Sequence, residues 1–98
     1  MRQKISGCVL ANYKKGKDKN WLFIHSKQYY DIFVKAVLSD ADAEGISMND
    51  YIQLSGIPRR TQMKTSYGEE IPYVLIMKPE VERRIRMNDP LLMNKTRE

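Results

Sequence analysis

The sequence predicts a small single domain of the α+β class, and three observations carry that prediction. Ile5 to Tyr13 and Trp21 to His25 are rich in β-branched, aromatic and small residues and flank a polar, glycine-containing segment, the pattern of a β-hairpin. Tyr30, Phe33, Val34, Val37, Leu38 and Ala41 recur at i, i+3, i+4, i+7, i+8 and i+11, one face of an amphipathic helix. Tyr73 to Met77 is an unbroken β-rich run held between Pro72 and Pro79.

The N-terminal hairpin carries a basic tip, because Lys14, Lys15, Lys17 and Lys19 stand around Gly16 in the loop Lys14 to Asn20. Ser26 supplies a cap for the first helix, whose polar face holds Lys27, Asp31, Lys35, Asp40, Asp42 and Glu44 and which Gly45 ends. Ser47 caps a second, short helix, Met48 to Leu54, with Tyr51 and Leu54 turned inward and Ser55-Gly56 as its stop. Arg59 to Ser66 reads either as a short basic helix or as the first strand of a hairpin turning at Gly68-Glu69-Glu70. Ile71 to Lys78 is a buried strand. Pro79 then suits the first turn of a C-terminal helix, Glu80 to Met87, which Asn88-Asp89-Pro90 ends. The domain thus spans residues 1–90, and Leu91 to Glu98 has no periodic pattern, as in a mobile tail.

Composition narrows the function classes. A chain of 98 residues, 42% hydrophobic, buries roughly 60–65% of its unfolded surface, which excludes wholesale disorder. The longest apolar run, Tyr73 to Met77, has five residues against the roughly 20 of a membrane helix, and the first residues lack the apolar core of a secretory leader. The expectation is a soluble, cytoplasmic protein that does not enter membranes. Cys8 stands alone, so no internal disulfide forms, which suits a reducing compartment. The net charge of +5 is local: residues 1–20 hold six Lys/Arg against one Asp, and 69–98 hold six against six. A lysine cluster of this density raises the local potential for phosphate or another acidic surface.

Catalytic patterns are missing. Nucleophilic hydrolysis needs a nucleophile, a base and an orienting group, and only Cys8 and His25 are at hand, on opposite strands of one hairpin. No Gly-rich phosphate loop, CxxC pair or HExxH motif occurs, and one Cys plus one His fall short of the about four ligands of structural zinc. Asp40, Asp42 and Glu44 are spaced by two, which spreads carboxylates around a helix and favours a solvated end over a cation site. The expectation is therefore a binding protein with no catalytic residues, no cofactor and no metal.

Met48 to Thr65, reading Met-Asn-Asp-Tyr-Ile-Gln-Leu-Ser-Gly-Ile-Pro-Arg-Arg-Thr-Gln-Met-Lys-Thr, resembles a helix-turn-helix segment of phage-repressor, excisionase and plasmid-regulator proteins. The resemblance covers 18 residues and departs from that family at Ile52, where a small residue is usual, and at Gln62 and Thr65, where apolar residues are. It implies that Gly56 makes the turn, Ile57 plugs the interhelical angle and Pro58 starts a recognition helix. Arg59, Arg60 and Gln62 would then meet base edges and Lys64 phosphate, with Lys14, Lys15, Lys17 and Lys19 on the backbone in the manner of a wing. The order strand, helix, Gly45-Ile46-Ser47, helix is also similar to ribbon-helix-helix regulators.

The resulting expectation is a small regulatory or accessory DNA-binding protein of phage or plasmid type, with a homodimer in view. The alternative is an adaptor or inhibitor that docks on a host nucleic-acid enzyme, for which six Met and six Tyr would supply an adaptable contact surface.

Overall fold

The computed structural model describes residues 1–85, and the period that governs them is two. Five strands form: β1 (Gln3–Gly16), β2 (Lys19–His25), β3 (Phe33–Leu38), β4 (Tyr51–Lys64) and β5 (Glu70–Ile85). Helical structure among the described residues is confined to a 3-10 turn, Lys27–Tyr29, and to the four-residue α1, Asp40–Ala43. The chain is accordingly an all-β barrel and not the α+β domain expected.

The segment read as the first helix shows why. Phe33 to Leu38 satisfies both periods, since Phe33, Val34, Val37 and Leu38 suit a helix face while Val34, Ala36 and Leu38 suit a strand face. In the fold Val34 and Ala36 are fully buried and Leu38 is 2% exposed, so alternation wins. Partners decide it: β3 is flanked by β2 on one side and, over Phe33 to Ala36, by β5 on the other. Ser26 does act as a cap, its Oγ accepting from Gln28 N, but of the short 3-10 turn. Gly45 keeps its positive φ of 77° and ends only α1 and its turn.

Strand order around the barrel is β1-β2-β3-β5-β4, with β4 pairing back onto β1 to close it. All neighbours are antiparallel except β3 and β5, which are parallel, so the chain between them must cross over. That crossover contains α1 and β4. The first hairpin forms as expected, although its strands run to Gly16 and Lys19 and leave only Lys17-Asp18 at the tip, where Asp18 takes φ 53°.

The helix-turn-helix and ribbon-helix-helix readings are overturned by β4. Tyr51–Lys64 is one strand, paired with β5 along its length, and Pro58, Arg59, Arg60 and Gln62 stand opposite Ile76, Leu75, Val74 and Pro72. Of the two readings of Arg59 to Ser66, the strand is the one formed. Gly56 makes no interhelical turn; it lies where the β4–β5 register shifts, and a Cβ there would sit 2.9 Å from the Met77 carbonyl and run into the Ile76 side chain. The expected C-terminal helix is also replaced, because residues up to Ile85 continue β5 against β4. Its last residues, the Asn88-Asp89-Pro90 stop and the expected tail lie outside the described residues.

The barrel interior is aliphatic. Ile5, Val9, Leu22, Ile24, Val34, Ile52, Leu54 and Val74 are fully buried, and Ala43 and Ile46 plug one end, held there by Asn12 Nδ2 donating to both of their carbonyls (3.2 and 2.9 Å). No Trp or Phe belongs to this core. Among the described residues no helix is long and apolar enough to cross a membrane.

Candidate nucleic-acid interface

With the interior filled by aliphatic side chains, alternation sends the rings outward. Leu22 and Ile24 point in, so Trp21 and Phe23 lie on the outer face of β2; Val34 and Ala36 point in, so Phe33 and Lys35 lie on the outer face of β3. Register then assembles them: Tyr13 opposes Trp21, Phe23 opposes Lys35, Phe33 stands beside Tyr73, and Lys35 beside Leu75. The rings touch in sequence. Phe23 is 5.7 Å from Tyr13, 6.3 Å from Trp21 and 5.4 Å from Phe33, all edge-to-face, and Phe33 stacks on Tyr73 at 5.3 Å with parallel rings. A platform of five aromatic residues therefore crosses β1, β2, β3 and β5.

Cations frame it. Lys35 Nζ lies 3.5 Å from the Trp21 ring centroid and 5.6 Å from that of Tyr73, and Lys15 Nζ lies 4.4 Å from Trp21. Lys19 shares the outer face of β2, and Arg59 shares that of β4 opposite Leu75. Lys35 is only 8% exposed. Burial, and then the nearby charges of Lys19 and Lys15, hold its ammonium below the ordinary lysine range. Among the described residues none of Lys15, Lys19, Lys35 or Arg59 makes an ion pair, whereas Arg2 and Lys4, near the end of β1 away from the hairpin tip, pair with Glu80 and Glu82.

The expected site residues are thus redistributed. Lys15 and Lys19 join the platform, and Lys17 is exposed at the hairpin tip. Lys14 does not join them: its Nζ donates to both Asp40 carboxylate oxygens at 2.8 Å. Asp40 also accepts from Asn20 Nδ2 (2.8 Å), and its own backbone N donates to Asp18, so Lys14 and Asn20 keep its carboxyl below the usual carboxylate range. This network ties the hairpin tip to α1. Arg60 and Gln62, with Ile32, Thr61, Pro72 and Tyr73, line a groove of about 260 Å³ that prolongs the platform beyond Tyr73, and Arg60 reaches the Tyr29 ring at 5.7 Å. Lys64 stands opposite Glu70, next to the β4–β5 turn. The grouping of Arg59, Arg60, Gln62 and Lys64 as a recognition helix is lost, because strand alternation sends Arg59 to one face and Arg60, Gln62 and Lys64 to the other.

Sequence reasoning missed Tyr13, Trp21, Phe23, Phe33, Lys35 and Tyr73. The signal was Trp21-Leu22-Phe23-Ile24, a strand apolar on both faces, which a closed small barrel needs on one face only. Cys8 and His25 are register partners, yet the Cys8 Sγ directs its weak hydrogen bond at the Val9 carbonyl (3.9 Å). No group of three or more His, Cys, Asp or Glu among the described residues can hold a metal ion.

Comparison of the chain with protein-family models, with curated proteins and with solved structures found no match.

Proposed function

We propose that this protein binds single-stranded DNA across the outer face of β2, β3 and β5, in an accessory role and within a reducing, cytoplasmic compartment. The observation that carries the reading is the unbroken row of rings bordered by ammonium groups that have no carboxylate partner among the described residues. Bases stack on aromatic side chains at about 1–3 kcal/mol each, and every base offers a face to do so only when it is not already stacked in a duplex. Five-stranded Greek-key barrels of the OB type use this face, with the loops joining strands 1–2 and 4–5, for oligonucleotides or oligosaccharides. The lysines favour the charged ligand, since a neutral sugar would leave a desolvated ammonium uncompensated.

Trp21 is the single tryptophan of the chain and sits in the platform, so its fluorescence reports occupancy directly. Titration with an oligothymidine of about 12 nucleotides is expected to quench it at micromolar concentration, with a duplex of the same length binding at least about tenfold more weakly. Duplex binding equal to or tighter than single-strand binding overturns the reading. Silence toward both strands at low salt overturns it too and turns attention to a protein partner.

A further inference from the structure

Lys35 departs from what a lysine ordinarily does. A lysine at 8% exposure is normally paired, yet the charges that act on it are two more lysines, Lys15 and Lys19, and no carboxylate among the described residues reaches it. Nor does its ammonium donate a hydrogen bond to any side chain or carbonyl among the described residues: what faces it are the Trp21 ring, the Tyr73 ring and Leu75. Cation–π attraction offsets part of the desolvation, but leaves two ammonium groups on one indole with the charge of Lys19 acting on Lys35 as well. Local rules are broken in this way at functional sites.

Resting on the proposed function and deepening it, we infer that Lys35, with Lys15 and Lys19 around it, is the phosphate-receiving centre of the platform. It takes the phosphodiester that lies between a base stacked at Trp21 and the next base stacked over Phe33 and Tyr73. The position fits that role, because Lys35 lies between Trp21 on one side and Tyr73 on the other and directly opposes Phe23, the ring that links them. Lys35 is fixed by its place in the middle of a strand with partners on both sides, whereas Lys15 is exposed near a hairpin tip and is free to leave Trp21 when a base arrives. An anion entering here relieves all three lysines at once. A cation held ready in a partly dry, aromatic-walled site also loses less side-chain freedom on binding than a solvated one.

The test separates function from packing through Lys35→Met, which keeps the apolar stem and removes the charge. The expected result is opposite signs: a higher melting temperature together with an about fivefold loss of oligothymidine affinity at about 0.1 M salt and a salt slope shallower by about 0.7. Lys4→Met, at the Glu82-paired lysine, is the control and leaves the slope unchanged. Inorganic phosphate alone, read by Trp21 fluorescence against chloride at equal ionic strength, is expected to perturb the unsubstituted protein and not Lys35→Met. A Lys35→Met protein that binds oligothymidine with unchanged affinity and slope overturns the inference while leaving single-strand binding standing. A phosphate response abolished by the substitution, in a protein that binds no oligonucleotide, keeps the anion site and removes the single-strand reading.

Discussion

Asp40→Asn isolates the electrostatics of the platform. In the parent protein four cations that make no ion pair among the described residues, Lys15, Lys19, Lys35 and Arg59, lie on the ring-bearing face, while Lys14 is clamped by Asp40 at 2.8 Å. Each phosphate neutralised on a single strand contributes about 0.7 to the slope of log K against log salt, so four give a slope of about −2.8. Between about 50 and 200 mM salt that is an about 50-fold loss of affinity. Asparagine retains an oxygen for Asn20 and gives up the charge that holds Lys14, which frees a fifth cation beside the hairpin tip. The slope then steepens to about −3.5, and affinity at about 0.1 M salt rises about fivefold. Fluorescence anisotropy of a labelled oligothymidine at four or five salt concentrations measures both proteins. Because the Lys14–Asp40 pair is solvent-exposed, its loss changes the melting temperature little. A parent slope shallower than about −1 refutes the placement of phosphates among these lysines. An unchanged slope in Asp40→Asn refutes the claim that Asp40 withholds Lys14.

Phe23→Ala removes the ring that joins Tyr13, Trp21 and Phe33; loss of one stacking position, about 1–3 kcal/mol, should weaken single-strand binding about 5- to 150-fold, and an equal loss on duplex would contradict base stacking as its cause. Gly56→Ala drives a methyl group toward Ile76 and the Met77 carbonyl, so urea unfolding should show a loss of about 1–3 kcal/mol, whereas a loss under about 0.5 kcal/mol would mean the β4–β5 register shift is misplaced. Lys35 holds its proton less tightly in the fold than in the unfolded chain, and the groups facing it are Lys15, Lys19 and Tyr73. Between its lowered folded value and the ordinary 10.5, the unfolded state binds more protons, so thermal stability should rise with pH while oligonucleotide affinity falls. Lys35→Arg stays charged throughout and should show neither trend; an identical pH profile in that variant would refute the assignment to Lys35.

What was legible in the sequence divides along a physical line. The β1–β2 hairpin and the strand Ile71 to Lys78 were readable because their residues suit one period only. Phe33 to Leu38 was not, since the same valines and leucine satisfy periods of 3.6 and 2, and the choice is made by β2 and β5, partners distant in sequence. Met48 to Thr65 misled for a different reason: Gly, Ile and Pro in succession suit an interhelical turn, and they equally suit a strand in which glycine admits a close neighbour at a register shift. Of the basic residues singled out, Lys15 and Lys19 for phosphates and Arg59 and Arg60 for the groove, these four lie on or beside the platform, because charge density is visible without a fold. The aromatic residues were invisible as a set. They come from four strands, and only register brings them together.

The barrel also argues for its own ligand. Closing five strands over an aliphatic core requires one apolar face per strand, and Ile5, Leu22, Ile24, Val34, Ala36, Leu54 and Val74 meet that requirement. Trp21, Phe23, Phe33, Tyr73 and Leu75 are apolar on the other face, where water would serve the fold as well. Their mutual contacts stabilise the outer face, yet a continuous row of partly exposed rings is also the kind of apolar patch that marks an interaction site. Under the proposed reading a ligand covers them, and the same ligand meets the charge of Lys35. One ligand accounts for both departures, provided that it carries flat apolar faces and regularly spaced negative charges on a single flexible chain. Were the rings structural, Phe23→Ala would lower stability and leave binding alone, and Lys35→Met would have no reason to move stability and affinity in opposite directions.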